Sequence, residues 1–428
     1  MKSDSTNVPH RPSPAVYFAL LGVATTLVLG VTLSRADVIV VGLPLALWCV
    51  HALRAPGETR VQMSIARAEE SESGWLSDSV TVDSDAEMLE LALVQAERTH
   101  RRVFVAGRSR IHARSRALHS GPLRTLEVAA RAMTADGGSL GMPQPPVTAR
   151  RTVPPTLERL PELPLAPRLT GLHGAHEGTR QGQGGDFRDI HPFAPGDELR
   201  RVDWKATARA ARRPGDLLIR RTNTLSDVSA VIVMDTADDL GSIVATWGTT
   251  DLERSGVTSL DHARSAARSI AEATVMHGDR IAFHTLMHGG RSVRSGGGSR
   301  HLARVIAEIA ATGRGGDDAR FRRTPTVPHG SIIYVLSTFF DGAAAEIATR
   351  WRATGHRVVA VDTLPELERV RLSAARDLAL DVLLAERQDM LRAMQTSGIE
   401  RISWVENPAA AAAALSRVHG RVVAGRVR

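Results

Sequence analysis

VSAVIVMD, residues Val228 to Asp235, decides the fold. Six of its eight residues are apolar and an acid closes it. A run this short and this greasy suits a central parallel strand covered on both faces; a half-exposed strand would alternate. Downstream, helical and strand-like segments take turns. The pattern predicts a helix over Leu260–His277, a strand over Arg280–Met287 and a short edge at Arg291–Val293. After the glycines at 296–298 come a helix over His301–Thr312 and a strand over Ser331–Ser337. A helix over Ala343–Thr354, a strand over Arg357–Asp362, a helix near Arg387–Gln395, a strand over Ile402–Val405 and an alanine-rich helix from Pro408 complete the set. Such alternation implies a doubly wound α/β sheet, whose ligands lie at the carboxyl ends of the strands. Asp235, Thr338 and Asp362 are expected at or near that rim.

Upstream the character changes twice. Met142 to Pro167 is too rich in proline for helix or central strand and reads as an extended linker. From Thr59 to about Pro164, short segments such as VQMSIA, SVTVDS and RRVFVAG alternate at a period near two. That spacing predicts a small antiparallel β-sandwich-like domain; LEVAARAM within it also fits a helix.

Nearer the N-terminus lie two uncharged runs, Ala15–Leu33 and Val38–Leu53, split by Ser34-Arg35-Ala36-Asp37. The first is long enough to cross a hydrocarbon core of about 30 Å, and the second is slightly short. A cleaved signal peptide would be followed by mature sequence, not by another apolar run. A soluble hairpin would show a polar face, and neither run does. Two spanning helices joined by a tight turn are therefore expected. Lys2 and Arg11 precede them, Arg54, Arg60 and Arg67 follow, and only Arg35 lies between. The positive-inside rule then puts both ends, and the soluble body, in the cytoplasm.

The 428 residues divide, on this reading, into a tail with membrane hairpin (1–56), a β-rich domain with its linker (57–165), a charged segment (166–225) and the α/β domain (226–428). Cys49 is the single cysteine, which excludes a disulfide framework and cysteine-rich metal sites. Net charge is +8, and Lys2 and Lys205 are the only lysines. A nucleic-acid surface needs clustered charge with stacking aromatics. Aromatics make up only 4% of the chain, and no nucleic-acid partner is expected.

The most informative block is Gly185 to Arg209, GDFRDIHPFAPGDELRRVDWKATAR. Pro195-Gly196-Asp197 is a tight turn, with proline presetting φ and glycine taking the positive value. Asp203 suits the N-cap of a short helix, which would leave Trp204 to pack inward. Arg188, Arg200, Arg201 and Arg209 face Asp186, Asp189, Asp197, Glu198 and Asp203 in one short span. Two readings fit: a solvated loop latched by ion pairs, or a rigid platform that docks a partner.

This block closely resembles the signature of the domain-of-unknown-function 58 family. The matching residues are Phe187, Arg188, Pro195-Gly196-Asp197, Arg200, Arg201, Asp203-Trp204 and Ala208-Arg209. GGGSRHLARVIAEIAA (Gly296 to Ala311) resembles the family's glycine turn and apolar helix, and the order of segments is similar too. The resemblance implies a von Willebrand factor A-like α/β domain. It also implies a bacterial membrane protein working beside a MoxR-type AAA+ ATPase, as an assembly factor or chaperone-like protein, with no established enzymatic activity.

A von Willebrand-type domain binds Mg²⁺ through D-x-S-x-S, a distant threonine and a later aspartate, since a hard cation wants oxygen ligands in octahedral geometry. Here Asp235 matches, Ala237 replaces the first serine and Asp239 the second. Thr338 stands where the later aspartate is usual, and Asp341 substitutes only if its loop folds back. The motif is incomplete, leaving Asp235 and Asp239 as a degenerate candidate metal pair and no assigned cofactor. Gly182-Gln183-Gly184-Gly185 lacks the lysine and hydroxyl of a phosphate loop. His173 and His176 sit among glycines that argue against a helix, and no nucleophile–base arrangement accompanies them. The expectation is a membrane-tethered scaffold without enzymatic activity, binding the ATPase and a client protein. The competing reading is a Mg²⁺-dependent ligand-binding or adhesion module at the cell envelope.

Overall fold

The structure is a computed structural model describing residues 6–54, 58–68, 74–96, 99–164, 176–194, 197–210, 216–226, 229–248, 255–287, 289–315 and 324–425. The chain forms two compact units in place of the four expected segments: residues 1–118 with 122–153, and residues 119–121 with 154–428.

In the first unit, strand β1 (Thr6–Pro12) precedes the two apolar helices α1 (Pro14–Thr32) and α2 (Ala36–Leu53). The residues expected to be a tail are thus part of a sheet. Pro14 opens α1, where its missing N–H costs nothing. Ser34 takes a left-handed φ of 51°, and Arg35 N–H donates to Gly30 O at 2.8 Å to close the turn. The helices approach closely because Gly30 faces Ile39 and Gly42 faces Thr26. Tyr17, Phe18, Val31, Val41 and Leu47 point outward and exposed. A soluble core helix would bury such residues, so both helices have the character of membrane spans.

Strands β2 (Glu58–Arg67), β3 (Trp75–Gln95), β4 (Thr99–Arg116), β5 (Gly121–Met133), β6 (Ser139–Gly141) and β7 (Val147–Val153) follow. LEVAARAM is strand, within β5. The expected sandwich is corrected. There is one antiparallel sheet, ordered β4-β3-β2-β1-β6-β5-β7, which closes on itself because β3 also pairs with β5. The length of β3 makes this possible. Its first half pairs with β2, its second with β5, and its register with β4 shifts between Asp83 and Met88. Gly107 sits against the bend, where any Cβ would collide with the carbonyls of Ser84 and Ala86. Val61, Met63, Val82, Leu89, Leu91, Leu126 and Val128 fill the inside.

In the second unit, β8 (His176–Pro192), α3 (Trp204–Ala210) and β9 (Leu218–Ser226) form the signature hairpin. The α/β layer follows as β10 (Ser229–Met234), α4 (Ser259–Met276), β11 (Arg280–Thr285), β12 (Ser292–Gly296), α5 (Ser299–Ala311), β13 (Ile332–Ser337), α6 (Ala343–Ala353), β14 (Arg357–Asp362), α7 (Ala374–Thr396), β15 (Glu400–Ser403) and α8 (Pro408–Gly425). The sheet order is β12-β11-β10-β13-β14-β15, with β12 antiparallel and the other pairings parallel. Alternate residues of β10 serve opposite faces. Ala230, Ile232 and Met234 pack with α4, α5 and α8, whereas Val231 and Val233 pack with α6 and α7. Double coverage is why the strand reads as unbroken hydrophobics.

Two expectations need revision here. The stretch expected as an extended linker contains strand β7 at Val147–Val153, and from 154 to 164 it lies along α4. Arg268 Nη1 donates to Pro155 O at 2.6 Å, Glu158 N to Ser269 Oγ at 2.9 Å, and Leu160 enters the core. The second revision concerns α7, which starts at Ala374 and not near Arg387. Its first half buries only Leu380 and leaves Leu378, Val382 and Leu383 exposed.

Candidate functional site

Two places carry the sequence-derived candidates. The first is the signature hairpin. Phe193 N donates to Leu217 O at 2.8 Å, joining the two arms. Asp197 closes the turn from both sides, its N–H donating to Ala194 O at 3.0 Å and its Oδ2 accepting from Ala194 N at 2.9 Å. Pro195 and Gly196 themselves lie outside the described residues, as do His173 and the side chains of His176, Phe187 and Arg188; the backbone of Phe187 pairs with Thr222. Asp203 caps α3 as expected. Its Oδ1 accepts from Ala206 N at 2.9 Å, and its carbonyl takes Thr207 N at 2.8 Å. Thr207 Oγ1 in turn accepts from Leu218 N at 2.9 Å.

Trp204 corrects the reading of it as a core anchor. It is 66% exposed, and the anchors are Val202 and Ile219, which bridge each other and are buried. Val202 and Ile219 thus make the apolar contact expected of Trp204. Leu199 is 63% exposed, with Ile190 and Phe193 also open to solvent. These three were missed by reading the block as charged; their signal was apolar residues spaced among acids and arginines. Arg200 Nε lies 2.6 Å from Glu198 Oε2 and Arg201 Nε 3.4 Å from it. The hydrogen bond from Arg200 holds the Glu198 carboxyl below its ordinary range. Arg209 is exposed.

The second place is the carboxyl rim of the sheet. Asp235 Oδ2 accepts from Ser337 Oγ at 2.6 Å and Oδ1 from Ala237 N at 3.1 Å. Asp238 Oδ2 accepts from Thr338 Oγ1 at 3.1 Å. Burial, with the charges of Asp341 and Asp238, pushes Asp235 up to about 6 despite these donors. Asp238 is raised for the same reasons. Asp341 acts on both as a neighbouring negative charge. Asp239 faces another group: it is raised by burial, with Thr258, Arg264, Asp261 and His119 as its neighbours. Asp261 itself would be raised by burial, but His119 and Ser120 bring it down to about 2.

The candidate pair Asp235 and Asp239 thus diverges. Among the described residues no three carboxylate or imidazole groups converge as a metal set. The cleft at Asp235, Asp238, Ser259, Thr338 and Thr363 is too narrow for a water molecule. These residues do not fit a preformed octahedral Mg²⁺ site. At the end of β14, Asp362 is bound by Arg387 on Oδ1 and by Arg401 on Oδ2 at 2.7 Å, so it serves the fold.

A doubly wound α/β domain with an exposed apolar signature hairpin, in a chain bearing two apolar N-terminal helices, is the class these observations define. Residues 189–386 match the family model described as "Protein of unknown function DUF58", so over that stretch the chain is similar to the DUF58 family. Comparison with curated proteins and with solved structures found no match.

Proposed function

We propose that the protein is a membrane-tethered scaffold whose DUF58 domain docks another protein, with a MoxR-type AAA+ ATPase as the partner that the family resemblance implies. The exposed apolar side chains Trp204, Leu199, Phe193 and Ile190, within the same stretch of chain as Arg200, Arg201 and Arg209, carry this reading. Aromatic and arginine side chains dominate binding energy at protein interfaces. A tryptophan held in the open by a capped helix over the Val202–Ile219 bridge is preorganised for that use. Leu378, Val382 and Leu383 of α7 are exposed as well. The sheet order, with a single antiparallel edge strand, supports a von Willebrand factor A-like relationship.

Trp204→Ala tests the docking. The full chain should lose less than about 1 kcal/mol of stability, as exposed changes do, while recovery of a co-expressed MoxR-like ATPase falls about tenfold or more, as for a lost hot spot. Unchanged recovery would remove the proposal. A two-pass topology is supported by pairing across the hairpin, since Thr6–Pro9 of β1 pairs with Glu58–Val61 of β2, and the excess of arginine on the flanks over the connecting turn supports a cytoplasmic body. Both ends then lie on one face of the bilayer. Protease added outside intact bacteria should leave the body uncut; cleavage there would favour the adhesion reading.

A further inference from the structure

Strand β4 is an edge of the first unit's sheet. β3 runs along one side of it, and among the described residues no strand pairs with the other side. Such an edge offers a row of backbone N–H and C=O groups to any strand that fits. The flanking side chains decide what fits. From Arg108 to Arg116, β4 pairs with Asp83 to Trp75 without a shift. At about 3.4 Å per residue this is a straight run of roughly 30 Å. Alternate residues share a face, and the exposed ones are Arg108, Arg110, His112, Arg114 and Arg116. Directly across from them on β3 stand Asp83, Thr81, Ser79, Ser77 and Trp75. Four arginines therefore face one opposing carboxylate in this run, Asp83, which takes Arg108 Nε at 2.9 Å. Arg114 stacks over the Trp75 ring at 4.7 Å. Ile111 and Ala113, between them in sequence, turn to the core.

The surroundings of the row separate its conceivable partners. A second copy of β4 would bring arginine beside arginine, and like charges across a strand pair are destabilising. A flat anionic bilayer would need the row to lie level with the membrane hairpin. Instead it follows β3 from Asp83, paired with Gln62 near the start of β2, toward Asp78, paired with Arg67 at the end of β2. The row thus leads away from the place where the chain leaves α2. An extended peptide with acids at every second position meets both demands of the edge. Its backbone continues the ladder about 4.8 Å from β4, and its carboxylates stand beside the guanidinium groups. Arginine–carboxylate hydrogen bonds are charge-assisted and directional, which fixes the register.

We propose that the β4 edge captures an extended acidic segment of another protein by strand addition, with aspartate or glutamate at alternate positions facing Arg108, Arg110, Arg114 and Arg116. The same arginines turn away basic strands and further copies of this chain, so one feature both attracts and discriminates. The surface belongs to the first unit and shares no residue with the signature hairpin. It does not rest on the docking reading.

The probe is a dye-labelled peptide of about nine residues, matched to the straight run, with glutamate at odd positions and valine or threonine at even ones. Followed by fluorescence anisotropy with the full chain in detergent, it should bind saturably below about 1 mM. A peptide of the same composition with its glutamates in one block should bind about tenfold more weakly, since only alternation puts every acid on one face. N-methylation of every second amide removes the donors along one edge of the peptide. One methylated set should abolish binding, and the other should leave it within about twofold. Arg110 and Arg116 are exposed, so Arg110→Gln and Arg116→Gln keep the fold; each should weaken the alternating peptide about threefold, the range of an exposed ion pair. Equal binding of the alternating and block peptides, equal effects of the two methylated sets, or indifference to both substitutions would each overturn the proposal. So would displacement of the peptide by single-stranded DNA of the same charge, which would make the row a general polyanion surface.

Discussion

Asp235 and Asp362 end two strands of the same sheet, one strand apart, and their surroundings are opposite. Asp362 is gripped by Arg387 and Arg401, and Arg387 also donates to Thr338 O at 2.6 Å. Asp235 receives one hydroxyl and one backbone N–H, with Asp238 and Asp341 as its charged neighbours. One end of the rim is therefore a knot that ties β13, β14, α7 and β15 together; the other stores unneutralised acid. A strand-end aspartate is no functional mark by itself. What the neighbouring elements bring to it decides its role.

Removing the knot is the strongest way to break this contrast. Arg387→Ala leaves Asp362 buried with only the half-buried Arg401, and loss of one partner of a buried pair costs about 3–5 kcal/mol. The urea midpoint of the full chain, followed through the buried Trp351 and Trp404, measures it. A loss under about 1 kcal/mol, typical of surface sites, would show that the knot is ornamental.

Asp235→Asn sharpens the contrast with a smaller effect of opposite sign. Free aspartate ionises near 3.8 and folded Asp235 near 6. Between those values the folded state holds a proton that the unfolded state has released. This group's contribution is thus fully present below about pH 4 and is lost as pH rises through about 6. The total is about 2–3 kcal/mol at 1.36 kcal/mol per unit. Asn keeps the Ser337 bond and removes the titration. The variant should match the wild type at pH 4 and exceed its stability by about 2 kcal/mol at pH 7.5. A constant difference between the two across that range would mean that Asp235 is not the titrating group.

The same contrast shows what was legible beforehand. The strand Val228–Asp235 was readable because double coverage removes alternation, and α4 because its Thr258–Asp261 capping box starts where the apolar pattern does. Asp203 was readable as a cap for a similar, local reason. Trp204 was not, because burial depends on what stands opposite, and Val202 with Ile219 had taken the anchoring place. The β-rich region was readable as antiparallel strands but not as a closed sheet. Closure hangs on β3 pairing with β2 along one half and β5 along the other, and no short-range pattern carries that choice. The first half of α7 was not read as helix although Leu378, Val382 and Leu383 are apolar, and the structure leaves those side chains exposed with only Leu380 buried.

By itself the sequence determined the two apolar helices, the alternating α/β layer and the family signature, since each rests on residues close together in the chain. Only the tertiary structure decided that Asp362 is gripped by two arginines while Asp235 is held by a hydroxyl and a backbone N–H, and that the strand before the hairpin joins the one after it. Those outcomes depend on which distant segments meet, and burial and Coulomb energies take their values only once they do.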